Sequence, residues 1–166
     1  MTDRVTPDLT ALASAVIDSA IAADLMVTTA ESCTGGMVAA ALTDISGASA
    51  VLDRGVVTYS NAAKSDLLGV PMSILAAHGA VSAQTAAAMA DGALRAAPNA
   101  GLAIAITGIA GPGGGTAEKP VGLVWFGLAI RDRDTVTTHH VFTGDRAAVR
   151  LRAAAVALTM MKDGMG

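Results

Sequence analysis

The sequence contains little cysteine, few aromatic residues and few lysines, and each shortage narrows what the protein can be. Cys33 is the only cysteine in 166 residues, so no disulfide can form within the chain, and we expect a cytoplasmic protein. Aromatic residues make up only 2% of the chain, so a core must be built from aliphatic side chains. Only three lysines accompany eight arginines. Because arginine cannot act as a base near neutral pH, each lysine is a candidate for chemistry.

The charge and hydropathy of the chain exclude two classes of partner. The net charge is −3 and no basic stripe occurs, which argues against nucleic acid as the main partner. The mean hydropathy is +0.54, but no run of about 18 apolar residues lacks a polar interruption, so we expect no membrane span. The segment Met1–Asp8 is polar with both charge signs, which is not typical of a signal peptide.

Helical and extended patterns alternate along most of the chain, with no internal repeat and no linker. This alternation predicts one α/β domain over residues 1–166, a three-layer α/β/α sandwich with a mixed central sheet. Helix caps are predicted at Thr6, which precedes Pro7, and at Asn61, Ser82 and Asp145. A further helix is predicted to begin at Met37. The last helix should bury Ala147, Leu151, Ala155, Leu158 and Met161. Strands are predicted at Leu25–Ala30, Val56–Ser60, Leu102–Thr107, Val121–Ile130 and Thr135–Phe142, the last two forming a hairpin.

Three of the predicted strands end in polar or glycine-rich segments, namely Glu31–Gly36, Thr58–Lys64 and Thr107–Thr116. Ligands of open α/β sheets usually bind outside the carboxyl ends of the strands. We therefore expect these three segments to contain the functional residues.

The first segment is a strand-to-helix turn in which Ser32 could act as a nucleophile. The N-terminus of the following helix offers free N–H groups that could bind a phosphate or stabilise an oxyanion. Spacing alone also allows a simpler interpretation, in which Ser32 or Thr34 only caps the helix.

The other two segments have equally open interpretations. Lys64 could be a desolvated base or a solvated surface lysine, and Tyr59, the only tyrosine, could simply pack on its strand. The glycine-rich loop from Thr107 could let its backbone approach a ligand or could be a flexible connector. It lacks the ending of a P-loop, so ATP hydrolysis is not indicated.

Cysteine and histidine are weaker candidates. Cys33 could be a thiol nucleophile, but a lone cysteine is more often a small buried residue. His139 and His140 are adjacent on a predicted strand and point to opposite faces, which leaves only His78 and argues against a zinc site.

Taken together, these segments resemble the CinA C-terminal family, which includes the bacterial amidohydrolases of nicotinamide mononucleotide (NMN). The resemblance covers nearly the whole chain, in the order of the family's motifs. The matching stretches are AESCTGG (30–36), GVVTYSNAAK (55–64), LLGV (67–70), HGAVS (78–82), TGIAGPGGGT (107–116), EKPVG (118–122) and FTGDR (142–146).

The resemblance implies hydrolysis of the NMN carboxamide to nicotinic acid mononucleotide and ammonia by a serine–lysine mechanism. Ser32 would be the nucleophile, Lys64 its general base, and Tyr59 a partner in proton transfer or orientation. No metal or organic cofactor is implied, and the family is often dimeric. The substrate would be held by Thr34, Gly35, Gly36, Thr107, Gly108 and Gly111, with Arg146 assisting at the phosphate.

Two departures from the family pattern could alter substrate affinity. Ala62 stands where the family often has Glu, and Gly113 where it often has Asp. The chain begins almost at the first predicted helix, so it resembles the stand-alone form of the family. Two other functions stay open from the residues alone: a non-catalytic nucleotide-binding module, and an amidase that depends on Cys33.

Overall fold

The computed structural model describes residues 6–166, so the first five residues of the Met1–Asp8 segment lie outside it. Within that range the chain forms an α/β fold of five strands, six α-helices and one short 3₁₀ helix at Ala48–Ala50. The strands are β1 (Met26–Glu31), β2 (Leu52–Val57), β3 (Ala100–Gly108), β4 (Leu123–Ile130) and β5 (Val136–Val141). The helices are α1 (Leu9–Ala22), α2 (Met37–Thr43), α3 (Asn61–Leu68), α4 (Met72–His78), α5 (Ala83–Ala96) and α6 (Arg146–Gly164).

The five strands form one mixed sheet in the order β2-β1-β3-β4-β5. Strand β1 pairs in parallel with both β2 and β3, whereas β4 runs antiparallel to β3 and to β5. The expected hairpin and the mixed sheet are therefore confirmed. Because β1, β2 and β3 are parallel, their carboxyl ends meet at one edge, which we call the carboxyl edge.

Apolar side chains alternate along β3 and bury both faces of the sheet. Leu102, Ile104 and Ile106 belong to a core with α1, α2 and α6, whereas Ala103 and Ala105 belong to a second core with α3, α4 and α5. This alternation follows from the two-residue period of a strand. The three-layer sandwich predicted from the sequence is confirmed.

Two glycines let α5 pack closely against β4 of the sheet and against α3. A Cβ at Gly127 of β4 would lie 2.3 Å from the Ala86 carbonyl oxygen, and one at Gly92 of α5 would lie 2.0 Å from the Leu68 carbonyl oxygen. Both distances are far inside van der Waals contact with backbone atoms. The position of α3 therefore depends on a missing side chain in α5.

Two predicted helix caps are wrong by one or two residues. Asp8, not Thr6, caps α1, because its carboxylate accepts a hydrogen bond from the Ala11 N–H at 3.1 Å. Ser60, not Asn61, caps α3, with its hydroxyl accepting from the Ala63 N–H at 3.0 Å. The caps at Ser82 and Asp145 are confirmed.

Three further details differ from the sequence predictions. Helix α4 was not predicted, because it has only seven residues and begins directly after Pro71. Strand β2 ends at Val57, so Tyr59 lies in the following loop and not on the strand. Helix α6 buries a stripe offset from the predicted one: Val149, Ala153, Ala154, Ala157, Leu158 and Met161 are buried, whereas Ala147 is exposed and Leu151 and Ala155 are half-buried. No helix in residues 6–166 is long and apolar enough to cross a membrane.

Candidate active site

A cavity of about 270 Å³ opens at the carboxyl edge of the sheet. All three predicted segments contribute to it, because they follow the parallel strands β1, β2 and β3. The loop between α4 and α5 and the start of α6 complete its wall. The lining residues are Ser32, Cys33, Tyr59, Lys64, Ala80, Val81, Thr107, Gly108, Ile109, Ala110, Gly111, Gly113, Gly114 and Arg146.

A larger cleft of about 750 Å³ lies beside this cavity and shares Val81 with it. Trp125 and His139 line the larger cleft, with their ring centroids 4.4 Å apart. None of the site residues predicted from the sequence lines it, so the smaller cavity is the candidate active site.

The structure brings Ser32 and Lys64 together, although they are 32 positions apart in the sequence. The Lys64 ammonium nitrogen (Nζ) lies 3.2 Å from the Ser32 hydroxyl oxygen (Oγ). Lys64 is 1% exposed and Ser32 is 8% exposed, yet both line the cavity. A hydroxyl and an amine at this separation can exchange a proton directly.

The surroundings of Lys64 favour its neutral form. Burial lowers the pKa of Lys64 from its ordinary value of 10.5, because the interior solvates an ammonium poorly. Its remaining contacts are the carbonyl oxygens of Thr58 at 2.8 Å and Tyr59 at 3.3 Å. Neither ion pair of residues 6–166 includes Lys64, so no carboxylate there holds the proton on the amine.

Tyr59 lies in the site with its hydroxyl directed toward Arg146. The Arg146 guanidinium donates to the Tyr59 hydroxyl and to the Gly111 carbonyl oxygen, both at 2.9 Å. Tyr59 is 61% exposed, and its contact with Lys64 is made by its backbone carbonyl. The Tyr59 hydroxyl thus belongs with Arg146 at the mouth of the cavity.

Thr34, Gly35 and Gly36, which the resemblance implies would hold the substrate, do not line the cavity. The Thr34 hydroxyl donates to the Glu31 carboxylate at 2.6 Å, and the Gly36 N–H donates to the same carboxylate at 3.1 Å. The Gly35 N–H donates to the Ser32 carbonyl oxygen at 3.0 Å. The expected free N-terminus of α2 is therefore already occupied by a side chain of the protein itself.

Two residues that the sequence analysis did not single out hold this turn. Glu31 is fully buried and also accepts from the N–H groups of Val38 and Ala39. Arg150 of α6 donates to the carbonyl oxygens of Cys33 at 3.0 Å and Thr34 at 3.1 Å. The position of Glu31 between an apolar strand and the start of a helix is a sequence signal that its carboxylate could cap that helix. The position of Arg150 gives no signal of its contact with the turn.

The glycine-rich loop forms the opposite wall of the cavity. Gly111 has a left-handed φ of +83°, and a Cβ there would lie 2.5 Å from the Val121 side chain. Gly108 packs just as closely against Val124 and Leu123. The Thr107 hydroxyl donates to the Ala80 carbonyl oxygen at 2.7 Å, so this side chain joins the loop to the α4–α5 connection.

Cys33 is packed in the core and is a poor nucleophile. The residue is 5% exposed, and burial raises the pKa of its thiol to about 11. A thiol with such a pKa is almost entirely protonated at neutral pH. His139 and His140 contact Trp125 and Phe126 on opposite faces of the hairpin, as expected. Residues 6–166 contain no cluster of three His, Cys, Asp or Glu side chains that could hold a metal ion.

Two curated bacterial relatives match most of the chain. The nicotinamide-nucleotide amidohydrolase PncC of Enterobacter agglomerans is 59% identical over 132 residues, which is 80% of this chain and 80% of the relative. The protein of the same name from Escherichia coli K12 is 56% identical over 132 residues, covering 80% of this chain and 79% of the relative.

A solved structure and a family model match the chain over nearly its full length. The competence/damage inducible protein CihA from Agrobacterium tumefaciens superposes with a TM-score of 0.90 at 49% identity, covering 94% of this chain and 95% of that protein. The model of the CinA C-terminal domain matches residues 9–165. This chain belongs to the CinA C-terminal domain family.

Proposed function

We propose that this protein is an amidohydrolase that converts NMN and water into nicotinic acid mononucleotide and ammonia. One observation carries the proposal: Lys64 Nζ lies 3.2 Å from Ser32 Oγ in a cavity that both side chains line. The relatives named nicotinamide-nucleotide amidohydrolase, at 56–59% identity, support this choice of amide.

In the first step the Ser32 oxygen attacks the carboxamide carbon of NMN. Neutral Lys64 accepts the hydroxyl proton as the bond between the oxygen and that carbon forms, which gives a tetrahedral oxyanion. The oxyanion then collapses, the carbon–nitrogen bond breaks, and Lys64 passes the proton to the departing nitrogen. Ammonia leaves, and an ester links Ser32 to the nicotinoyl group.

The second step reverses these roles with water as the nucleophile. Lys64 accepts a proton from the water as its oxygen bonds to the ester carbon, and it returns that proton to Ser32 as the ester bond breaks. Nicotinic acid mononucleotide is released, and the serine hydroxyl and the neutral amine are restored. Every proton taken by Lys64 is given back within one cycle, and the proposed steps include no metal or organic cofactor.

The N–H group of Cys33, which lines the cavity beside Ser32, is the donor best suited to the oxyanion. Among the hydrogen bonds of residues 6–166, this N–H group has no acceptor. The Gly35 N–H donates to the Ser32 carbonyl oxygen. Losing one oxyanion donor typically lowers turnover by about 10²–10³-fold.

Arg146 and the glycine-rich loop are proposed to hold the nucleotide phosphate. Arg146 is exposed at the cavity mouth, and its guanidinium can bind phosphate oxygens in a bidentate manner. Gly113 and Gly114 line the same wall without side chains that would obstruct the ligand.

We also propose that the 1–166 chain acts as one domain in the cytoplasm and forms a homodimer. Sedimentation equilibrium measures the mass in solution and so tests the dimer.

The function is tested by measuring ammonia release from NMN with the wild type and two variants. We expect Ser32→Ala and Lys64→Met each to lower kcat by at least about 10³-fold while the far-UV circular dichroism spectrum is unchanged. Calorimetry in parallel measures NMN binding. If the wild type binds NMN but releases no ammonia, the protein is a non-catalytic nucleotide-binding module and not an amidohydrolase. Full activity of Ser32→Ala would disprove the mechanism.

A further inference from the structure

We propose that Arg150 and Glu31 are positioning residues that fix the peptide groups of the Ser32 turn in their reactive orientation. The proposal rests on the proposed function, since it concerns the oxyanion donor of that reaction. Neither side chain lines the cavity, so both would act through the turn and not on the substrate.

Arg150 holds the peptide group that follows Cys33, the residue whose N–H is the proposed oxyanion donor. Its Nε donates to the Cys33 carbonyl oxygen at 3.0 Å. That carbonyl shares a planar peptide group with the Thr34 N–H, so the hydrogen bond fixes the orientation of the whole plane. The conformation of Cys33 is thereby restrained on its carboxyl side.

The next peptide group is held at both ends. Arg150 Nη2 donates to the Thr34 carbonyl oxygen at 3.1 Å, and the Gly35 N–H of the same peptide donates to the Ser32 carbonyl oxygen at 3.0 Å. The Ser32 carbonyl in turn shares its peptide with the Cys33 N–H. One guanidinium therefore helps to set, through Gly35, the orientation of the proposed oxyanion donor, the Cys33 N–H.

The backbone of this turn needs such support because it can adopt other conformations. Gly35 has a φ of +61° and Gly36 a φ of +101°, and glycine passes easily between left-handed and right-handed regions. A Cβ at Gly35 would lie 3.3 Å from Arg150 Nη2, so the turn approaches the guanidinium closely. Without the guanidinium, the Cys33 carbonyl would lose its hydrogen bond, and the Thr34 carbonyl would keep only the one from the Met37 N–H at 3.2 Å.

Glu31 holds the other end of the turn. Its buried carboxylate accepts four hydrogen bonds, from the Thr34 hydroxyl and from three N–H groups at the start of α2. These bonds tie the turn that carries Ser32 to the end of β1 and to the start of α2. A neutral amide at position 31 would present N–H groups to some of these donors and could not accept all four bonds.

The central test compares Arg150→Ala with Arg131→Ala. Arg131 is a matched control, because its guanidinium also donates to backbone carbonyls, including that of Ala100 at 2.7 Å, but at the start of β3. That position lies at the edge of the sheet opposite the cavity. We expect both variants to lower the melting temperature, but only Arg150→Ala to lower kcat for NMN, by about 10²-fold, with KM changed less than threefold.

Two additional measurements separate positioning from folding. Added guanidinium at low millimolar concentration should restore part of the kcat of Arg150→Ala by donating to the same carbonyls, and should not raise that of Arg131→Ala. Arg150→Lys, which keeps the charge but replaces the two donating nitrogens by one, should have a kcat between those of the wild type and Arg150→Ala. Glu31→Gln should lower kcat at least tenfold with KM again nearly constant.

The reaction of Ser32 with a fluorophosphonate probe makes the result independent of NMN. The Ser32 oxygen bonds to phosphorus, its proton passes to Lys64, and fluoride leaves with the electrons of the broken phosphorus–fluorine bond. The rate of this labelling should fall in Arg150→Ala and Glu31→Gln but not in Arg131→Ala. Wild-type labelling without NMN turnover would reject the proposed substrate alone, whereas unchanged labelling and kcat in folded Arg150→Ala would overturn this inference.

Discussion

At the scale of single residues, burial has opposite consequences for the two reactive groups beside Ser32. Burial disfavours the charged form of any side chain, so it makes an amine a better base and a thiol a worse nucleophile. Lys64, with a lowered pKa, is prepared to accept a proton. Cys33, with a raised pKa, is prevented from losing one. The same burial thus favours Ser32 over Cys33 as the nucleophile of the proposed reaction.

This selection predicts that the Cys33 side chain is dispensable for turnover. Cys33→Ala keeps the backbone N–H that we assign to the oxyanion, and it removes only a thiol with a pKa of about 11. We expect kcat for NMN within about threefold of the wild type and a loss of about 1 kcal/mol in the free energy of unfolding, from the small cavity left in the core.

Alkylation provides the corresponding control. Iodoacetamide at pH 7.5 should inactivate the wild type no faster than it inactivates Cys33→Ala, because the thiol is buried and protonated. Rapid inactivation of the wild type alone, together with loss of turnover in Cys33→Ala, would instead favour a thiol enzyme.

Tyr59 gives a second prediction at this scale. Its hydroxyl is bound to Arg146, and its contact with Lys64 is made by the carbonyl oxygen that Tyr59→Phe retains. We therefore expect Tyr59→Phe to raise KM for NMN, because Arg146 loses a partner, and to lower kcat less than tenfold. Loss of a general base lowers the rate by about 10²–10⁴-fold, so steady-state kinetics distinguish the two roles. A larger fall in kcat at constant KM would show that the Tyr59 hydroxyl takes part in proton transfer.

Residue types and motifs were enough to predict the proposed nucleophile and base, but not the residues that hold them. Ser32 and Lys64 stand in motifs that the resemblance made recognisable, whereas their separation of 3.2 Å depends on the packing of α3 against α5. Arg150 lies 116 positions from Thr34, and no local pattern reveals a contact at that separation. Thr34 and Gly36 are predicted to hold the substrate, because the sequence does not reveal that Glu31 accepts their hydrogen bonds.

At the scale of elements, the position of Lys64 depends on how closely two helices approach. Helix α3 carries Lys64 at its centre and ends at Leu68, whose carbonyl oxygen lies over Gly92 of α5. Four of the strands and the longer helices were predicted well because their apolar periodicity and caps are local signals, whereas β2 begins at Leu52 and overlaps its predicted range only at Val56 and Val57. Helix α4 and the offset of the buried stripe on α6 depend on tertiary packing, which the local pattern does not contain.

The close approach of α3 and α5 predicts the effect of Gly92→Ala. Alanine favours a helix over glycine by about 1 kcal/mol, but the new Cβ would lie 2.0 Å from the Leu68 carbonyl oxygen. Since that oxygen belongs to the backbone, the overlap outweighs the propensity, and we expect a net loss of about 1–3 kcal/mol. Lys64 moves with α3, so kcat should fall as well, as measured by urea unfolding and ammonia release.

Gly101→Ala is the matched control for that substitution. Its Cβ would lie 2.5 Å from the end of the Leu25 side chain, which can rotate away, and Gly101 lies far from the carboxyl edge. It should lose less stability than Gly92→Ala and keep its kcat. Equal kcat values in both variants would show that Lys64 tolerates a displacement of α3.

At the scale of the whole molecule, the fold supplies the free energy needed to bury a lysine. Lys64 is 1% exposed, and no carboxylate among residues 6–166 forms an ion pair with it. Each pKa unit by which burial lowers its pKa corresponds to about 1.4 kcal/mol of folding free energy. Function and stability therefore oppose each other at this residue, and the aliphatic cores on both faces of the sheet offset the cost.

The opposition predicts a pH-dependent stability difference between the wild type and Lys64→Met. Between the lowered pKa of Lys64 in the folded protein and its value of 10.5 in the unfolded chain, only the unfolded chain binds the extra proton. Wild-type stability contributed by this residue therefore rises with pH across that window. Below it, lysine is charged in both states and the full burial cost remains, so the advantage of Lys64→Met is largest there and shrinks as the pH approaches 10.5.

Urea unfolding of both proteins from pH 6 to pH 10 measures this difference directly. Both proteins carry Cys33→Ala, because the Cys33 thiol and Lys64 influence each other's pKa, and the other titrating groups are common to the two and cancel in the subtraction. Lys64→Met also leaves the carbonyl oxygens of Thr58 and Tyr59 without their donor, but this loss does not depend on pH and only displaces the whole difference curve. A difference that stays flat across the range would mean that Lys64 keeps its ordinary pKa, and it could not then be the base that activates Ser32 at neutral pH.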